Sequence, residues 1–586
     1  MSRLRAARAA LVAMEIAPSR LVPIVGLTFS ASLLKVAAIS LCWPLFHRLL
    51  SSGEAVAVVV KLALLILALA WLGGLCGWVA ARSTARLAVA AEITLGEKLL
   101  RRHLRFSQAY FDATPQGVTL GHLQGLPRRV GRLVPWAVQA SEAVLTLALL
   151  AALMVVLSPL LAAGSLVALA IYYFLVKRVV DRAERQAQEE ESLEEQSLIE
   201  IQDLVANLPL LRLFASEPRA LGDFRTRAAE RGEANLRSRA QLAGVEEARE
   251  GLNTLVVLGF AVAAAWAVAG AEPSALSRHL VFFFVFRRAM GPFAALQRLP
   301  RRGRFLDEQF AALEEVLHAS TRLLLVEGVR PFPGLRRGIE VRDLEFGYDE
   351  RAPVLSGVSC AALRGRYTTL VGRTGSGKST LLRLWMRLYD PPPGTILFDG
   401  IDLRDLDAEG LRARIAFADA HPHFFNAPLR DNLAYGGGEL AESRLLEVLE
   451  TVGLADLVTR LPRGLDEVLG DRGIRLSSGE RQRVGLARAL LRDADLVLWD
   501  EATSALDAVA EKQVLSLAEG LAVSKTVVTV THRLSTLSEA AWVVVLERGR
   551  VVEQGYRDDL LAASGALSEL MDAAAMERGE VHDAGR

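Results

Sequence analysis

Hydrophobic residues fall in long unbroken runs in the first half of the chain and in short ones in the second. Six of the long runs, Leu21–Leu45, Ala55–Val79, Leu133–Leu157, Leu160–Val176, Leu252–Ala269 and Leu276–Leu296, approach or exceed what a helix needs to cross ~30 Å of hydrocarbon. The fourth and fifth are short, and the sixth is interrupted by Arg287, Arg288 and Pro292. Between the second and third runs, and between the fourth and fifth, charged and apolar residues recur at helical spacing over 80–132 and 177–250. The stretch ERQAQEEESLEEQSLIEIQDLVANLPLLRLF is typical, and on its own it reads as a solvated helical hairpin. From 338 onward, strand-length apolar runs alternate with helical ones, as in a soluble α/β domain. The expected fold is therefore multidomain: a six-helix transmembrane domain with long cytosolic helical extensions, then an α/β domain.

The placement of Lys and Arg orients the first half. Arg3, Arg5, Arg8 and Arg20 precede the first run, and Arg82 through Arg132 separate the second from the third. A further basic set, Lys177 to Arg249, separates the fourth from the fifth, and Arg298, Arg301, Arg302 and Arg304 follow the sixth. Both termini are thus expected in the cytoplasm, with the chain in a bacterial-type inner (plasma) membrane. The first 20 residues are basic and partly apolar, without the longer uncharged run of a signal peptide. An amphipathic segment lying on the inner membrane surface fits them better.

Composition narrows the choice further. The 586 residues are 52% hydrophobic with mean hydropathy +0.28, more apolar than an ordinary soluble protein. A net charge of +1 offers no concentrated positive face, so no nucleic-acid partner is expected. The three cysteines, Cys42, Cys76 and Cys360, lack metal-like spacing and read as inert filler.

The chemistry lies in the second half. Gly372-Arg373-Thr374-Gly375-Ser376-Gly377-Lys378-Ser379-Thr380 follows the apolar strand Tyr367–Val371 and opens a helix, the context a P-loop requires. Its glycines let backbone N–H groups wrap phosphates at a helix N-terminus. Lys378 supplies a point charge to the β/γ-phosphates, and the Ser379 hydroxyl can ligate Mg2+. Downstream, Leu496-Val-Leu-Trp-Asp500-Glu501 is an apolar strand ending in two carboxylates. Asp500 in such a place can hold Mg2+, and Glu501 can orient and deprotonate an attacking water.

With Leu476-Ser-Ser-Gly-Glu480-Arg-Gln-Arg added, the chain resembles the ABC transporters, and specifically half-transporters of the exporter type. Ser504-Ala-Leu-Asp507 resembles their D-loop, Thr531-His532-Arg533 their H-loop, and Tyr348 the aromatic that stacks on adenine. Leu469-Gly-Asp-Arg-Gly473 resembles a segment that touches coupling helices, and Phe111–Gly125 and Ala206–Pro218 match those helices in position. The resemblance implies a head-to-tail dimer in which ATP lies between one subunit's P-loop and its neighbour's Ser477, Ser478, Gly479 and Glu480. Glu501 would then be the general base, and His532 would hold the γ-phosphate and the water in line. It also implies a division into an elbow-like segment 1–20, a transmembrane domain 21–318, a linker 319–337, a nucleotide-binding domain 338–575 and a tail 576–586. One cassette is present, so the second half-transporter comes from another chain, as homodimer or heterodimer. No peptidase-like domain precedes the first run, so no fused leader peptidase is expected.

Several positions depart from the family pattern. Ala420 stands where the family carries the Q-loop glutamine, and its side chain has no donor or acceptor. A water, Asp419 or His421 completes the shell, or the site turns over slowly beside a complete one in a heterodimer, or the chain is a weak regulatory ATPase. Ser478 replaces a glycine and Glu480 a glutamine, and Trp499 is bulkier than the usual aliphatic and reads as core packing. Within the spans, Lys61, Glu142, Arg287 and Arg288 are ionisable. They form ion pairs such as Glu142 with an arginine or snorkel to an interface, or the arginines line a cavity beside aromatics for an amphipathic anion. The expected activity is ATP-driven export of a small amphipathic compound out of a lipid bilayer by alternating access. Import on the same fold, or low-turnover regulation, are the alternatives.

Overall fold

The computed structural model describes residues 14–50, 56–167, 169–170, 173–174, 201, 204–205, 207–268, 273–297, 299–318, 323–349, 352–470, 473–504, 506–534 and 537–577. The chain divides into two compact units. One comprises Met1–Leu104 with Thr114–Ala319, and the other Arg105–Ala113 with Ser320–Arg586.

The first unit is helical. Among the described residues, four helices are long and apolar enough to cross a membrane: Ser19–Leu49, Val56–His103, Gln116–Leu157 and Ser277–Gln297. They contain the first, second, third and sixth of the expected spans. The expected fifth forms the end of the 52-residue helix Glu217–Val268, and the fourth lies partly outside the described residues. The Val56–His103 helix has 48 residues, roughly 72 Å at 1.5 Å per residue, more than twice the hydrocarbon thickness. Its apolar start and amphipathic end are one continuous helix, which closes on Arg101, Arg102 and His103, cations suited to the negative helix terminus. Gly73 lets it approach the Pro18–Ser40 helix, since a Cβ there would lie 3.2 Å from the Ala31 carbonyl.

A polar seam joins the first and third spans. Thr146 Oγ1 donates to Ser32 Oγ (2.9 Å), and one turn away Lys35 Nζ lies 3.6 Å from Glu142 Oε1. Glu142 thus pairs with a lysine, where an arginine was expected. Arg287 and Arg288 are exposed, while Phe282, Val285, Phe286 and Ala289 of the same helix are buried. An apolar cavity of about 560 Å³ lies between residues 144–174 and this helix, lined by Leu147, Met154, Leu166, Phe174, Ala289 and Phe293, and not by either arginine. The basic N-terminal segment lies outside the described residues up to 13. Beyond it Met14 and Ile16 are buried, and Glu15 pairs with Lys98 at 2.9 Å.

The second unit holds two sheets. The first runs β2 (Leu355–Leu363), β1 (Gly338–Phe346), β4 (Ile396–Phe398), β5 (Ile401–Asp402), all antiparallel. The second orders β10 (Arg550–Tyr556), β9 (Trp542–Glu547), β3 (Tyr367–Val371), β8 (Thr526–Val530), β7 (Leu496–Asp500) and β6 (Ile415–Asp419). Only β10 is antiparallel there. Every residue of β3 and β8 is buried, the threonines included, as in strands covered on both faces. Leu496 and Leu498 face one core with the Lys378–Trp385 helix, and Val497 and Trp499 face the other with the Ser478–Leu491 helix. Trp499, 2% exposed, is core packing as expected. Cys360 is buried in the first core, and burial pushes its thiol up to about 12. Because β3, β6, β7 and β8 run parallel, the loops after them open at one edge of the sheet, where α/β folds place ligands.

The stretch read as a linker packs on this unit from Leu323 onward. Leu335 is 1% exposed, and Arg330 bridges to Leu406. Arg387, completely buried, fastens it. Its guanidinium pairs with Asp390 at 3.1 Å and donates to the carbonyls of Leu406, Val326 and Arg404. Removing one partner of a buried charge pair leaves the other uncompensated. Arg387→Met is therefore expected to cost about 3 kcal/mol and to lower the melting temperature of the full chain by several degrees, an outcome read by thermal unfolding in detergent.

Candidate nucleotide site

The P-loop turns on three glycines with left-handed backbone, Gly372 (φ +148°), Gly375 (+80°) and Gly377 (+103°). Arg373, Thr374 and Gly375 are exposed at its rim, while Ser376, Gly377, Lys378 and Thr380 are buried. The Lys378 side chain folds back over the loop. Its Nζ donates to the carbonyls of Gly372 (2.8 Å) and Arg373 (2.9 Å) and to Ser376 Oγ (3.4 Å). Burial pushes this ammonium's pKa down, and Glu501 and Asp500 oppose that. The ammonium is thus desolvated inside a ring of acceptors that phosphate oxygens can replace.

The strand ends meet this loop. The Ser379 hydroxyl lies beside the Asp500 carboxylate at the end of β7 and favours its charged form. Burial pushes the Asp500 carboxyl up, with Glu501 and Asp419 adding to it and Ser379 and Lys378 opposing it. Asp500 Oδ1 is buried without a hydrogen-bond partner. A hydroxyl beside a desolvated carboxylate with an unsatisfied oxygen is a hard oxygen donor set, and it fits Mg2+.

Glu501 follows with φ +54°, an unusual backbone for a glutamate. Two contacts hold it. Its N–H donates to the Val530 carbonyl (3.1 Å), and Gln482 Nε2 donates to its carbonyl (2.7 Å) and to Ser504 Oγ (2.8 Å). The turn aims the Glu501 carboxylate at the loop after β8, where Oε1 lies 2.7 Å from His532 Nε2, both residues part exposed. Gln482 is 3% exposed and ties the signature helix to the end of β7. It lies in Leu476–Arg483, the stretch that carries the ABC-transporter resemblance and is that family's signature, where no local pattern marks this role. Asp507 caps the following helix Ala508–Ala522, accepting from Val509 N (3.0 Å) and Ala510 N (2.8 Å).

Tyr348 is 45% exposed, which leaves its ring open to a planar base. Its hydroxyl is anchored to Thr380 Oγ1 (3.0 Å), and its ring meets Tyr389 edge-on at 5.1 Å. Tyr389 donates in turn to Asp112, within the Gln108–Ala113 helix that belongs to this same unit. Ser107 N to Leu323 O and Gln108 N to Leu388 O, both 2.9 Å, fix that helix. The segment seated on the nucleotide unit is therefore Arg105–Ala113, which overlaps only the start of the expected Phe111–Gly125.

The signature residues make a different set of contacts. Ser477 caps the Ser478–Leu491 helix by accepting from Glu480 N (3.2 Å), and Glu480 Oε2 accepts from Ser477 N (2.8 Å), a reciprocal capping box. Arg460 holds the other Glu480 oxygen. Burial works against the Glu480 charge, yet these hydrogen bonds keep its carboxyl below the usual range. Ser477 and Ser478 are exposed and Gly479 half-buried, at the N-terminus of a 14-residue helix. Among the described hydrogen bonds, none joins Ser477–Glu480 to the P-loop. One chain thus brings together the P-loop, Ser379 with Asp500, and Glu501 with His532, and turns its signature outward. The Leu469–Gly473 segment lies partly outside the described residues.

Comparison with known proteins agrees on both halves. A family model described as ABC transporter transmembrane region matches residues 28–290, and one described as ABC transporter matches 355–504. The heterocyst differentiation ATP-binding protein HepA of Nostoc sp. is 39% identical over 288 residues, covering 49% of this chain and 47% of that one. An ATM1-type heavy metal exporter of Novosphingobium aromaticivorans is 30% identical over 428 residues, covering 72% of this chain and 70% of that one. An ATP-dependent lipid A-core flippase of Vibrio cholerae is 40% identical over 234 residues, covering 40% of each. The chain thus matches less than half the length of the Nostoc and Vibrio relatives. A solved bacterial Atm1-family ABC exporter with ATP bound superposes with TM-score 0.79 at 25% identity, covering 95% of this chain and 99% of that one. Matched through its membrane region, its ATPase domain and its fold, the chain belongs to the ABC transporters, as an exporter-type half-transporter that joins one transmembrane domain to one nucleotide-binding domain.

Proposed function

We propose that this half-transporter exports a small amphipathic compound by alternating access, driven by ATP hydrolysed between two nucleotide-binding domains. The observation that carries the reading is the Glu501–His532 pair at 2.7 Å, set beside Lys378 and the Ser379–Asp500 couple. A chain kept only for binding nucleotide has no use for a carboxylate held in a left-handed turn at that edge. In the reaction Glu501 takes the proton of the attacking water, and His532 steadies the γ-phosphate. Lys378 exchanges its loop carbonyls for phosphate oxygens, and Tyr348 stacks on adenine. Ser379 and Asp500 would hold Mg2+, which when bound neutralises charge on the phosphates.

The second copy follows from what a single chain leaves open. Ser477 and Ser478 at a helix N-terminus suit a partner's γ-phosphate. Leu210, Leu213 and Phe214, 53–79% exposed in the segment expected to be the second coupling helix, suit burial against a partner subunit. Homodimer and heterodimer both satisfy these needs, and Ala420 favours slow turnover in a heterodimer as the second reading. Phosphate release by the purified chain in nanodiscs tests the first reading. Turnover absent alone and gained only with a second half-transporter selects the heterodimer.

The apolar cavity suits a hydrocarbon tail, and Arg287 and Arg288, just before the cavity residue Ala289, suit an anionic end. Replacing both arginines with Ala is expected to abolish stimulation of ATPase by an anionic amphiphile, with basal turnover retained. Stimulation surviving intact removes the arginines from substrate recognition. Accumulation of the compound in inside-out vesicles, as opposed to its loss, fixes the direction as export.

A further inference from the structure

Ala420 leaves a hole in the metal shell of the ATP site proposed above, and the neighbouring strand register fills it. β6 and β7 pair in parallel, residue for residue: Ile415 with Leu496, Phe417 with Leu498, Asp419 with Asp500. Partners in a parallel register project to the same face, from strands ~4.8 Å apart. Leu496, Leu498 and Ile415 lie in the core under the Lys378–Trp385 helix, with Phe417 packed against it. The next pair along that face is Asp419 and Asp500, and Asp500 meets Ser379 there.

Two carboxylates one strand apart repel unless a cation lies near both. Asp500 Oδ1 is buried and unpaired. His421 N donates to Asp419 Oδ1 at 2.7 Å, which fixes the carboxylate's orientation, and among the described hydrogen bonds Oδ2 has none. His421 itself is exposed. Lys378 is committed to its own loop. Among the charged groups nearby, Arg488 acts on Asp419 and Lys378 on Asp500, and a cation bound between the two carboxylates would be a partner to both.

We propose that Asp419 supplies the oxygen to the Mg2+ shell that the Q-loop glutamine supplies elsewhere in the family, so that the missing function of Ala420 is carried one residue upstream. The inference rests on the ATPase reading. It changes the character of the site: a charged carboxylate replaces a neutral carboxamide, which favours the metal-bound nucleotide over the metal-free one more strongly.

The test uses the full chain in nanodiscs, saturated with ADP, with Mn2+ titrated as the probe and bound metal read by electron paramagnetic resonance. Asp419→Ala is expected to raise half-saturating Mn2+ roughly tenfold, while ADP affinity in EDTA stays unchanged and shows the fold intact. Adding Ala420→Gln to that variant is expected to recover most of the loss. Mn2+ binding by Asp419→Ala equal to that of the unaltered chain overturns the assignment. A Mn2+ shift in a chain that never turns over ATP, alone or with a second half-transporter, supports the metal assignment and overturns the transporter reading instead.

Discussion

Glu501→Gln is expected to lower ATP turnover by about 10²- to 10⁴-fold, the range a general base contributes, with ATP affinity retained. The amide has the same shape and still accepts from His532 Nε2, which lies 2.7 Å from Oε1. The hydrogen bonds that hold the turn run through the backbone of residue 501, so they survive the change. What is lost is the capacity to take a proton. With chemistry blocked and phosphate binding intact, the variant should accumulate as an ATP-bound dimer of nucleotide-binding domains. Phosphate release measures the first effect, and crosslinking between cysteines introduced at facing signature and P-loop positions measures the second. Turnover at the unaltered rate removes Glu501 from the chemistry.

The parts of this site that were legible in the sequence are those whose chemistry is contiguous. Gly372–Thr380 and Leu496–Glu501 each carry their own strand, and a parallel sheet brings their ends to one edge without further instruction. Gln482, Arg387 and the Lys35–Glu142 pair were not legible, because each acquires its role from a residue far away in the chain. A buried arginine bonding the carbonyls of residues 326, 404 and 406 leaves no local pattern. Helix ends were blurred for another reason. The apolar stretch after Val56 passes into an amphipathic one with no proline or cap between, so hydropathy marks where the membrane ends and not where the helix does. Tyr389 shows both limits together. Its aromatic neighbours Phe346 and Tyr348 lie near one another in sequence, but its bond to Asp112 spans 277 residues.

Two glycines of the same loop should respond very differently to the same added methyl. At Gly372 a Cβ would lie 2.1 Å from the Leu546 carbonyl oxygen and 2.9 Å from Ser376 Oγ. Leu546 belongs to β9, the strand paired beside β3, so the first clash is with backbone that cannot rotate away. Relief requires parting the strands or lifting the Gly372 carbonyl, which is one of the acceptors for Lys378 Nζ. Gly372→Ala is therefore expected to destabilise the chain by about 2–3 kcal/mol, as overpacking does, and to weaken nucleotide binding roughly 100-fold, near the same energy. At Gly375 nothing lies within 4 Å of an added Cβ, and only the left-handed backbone at φ +80° opposes it. That strain costs about 1–2 kcal/mol, so Gly375→Ala should weaken nucleotide binding about 5- to 30-fold. Its melting temperature should stay close to that of the unaltered chain, because an exposed loop can relax at its rim. Equilibrium titration with a fluorescent nucleotide, paired with thermal unfolding, separates the two cases. Equal losses at both positions would mean that backbone strain alone shapes the loop and that its contact with β9 carries no weight.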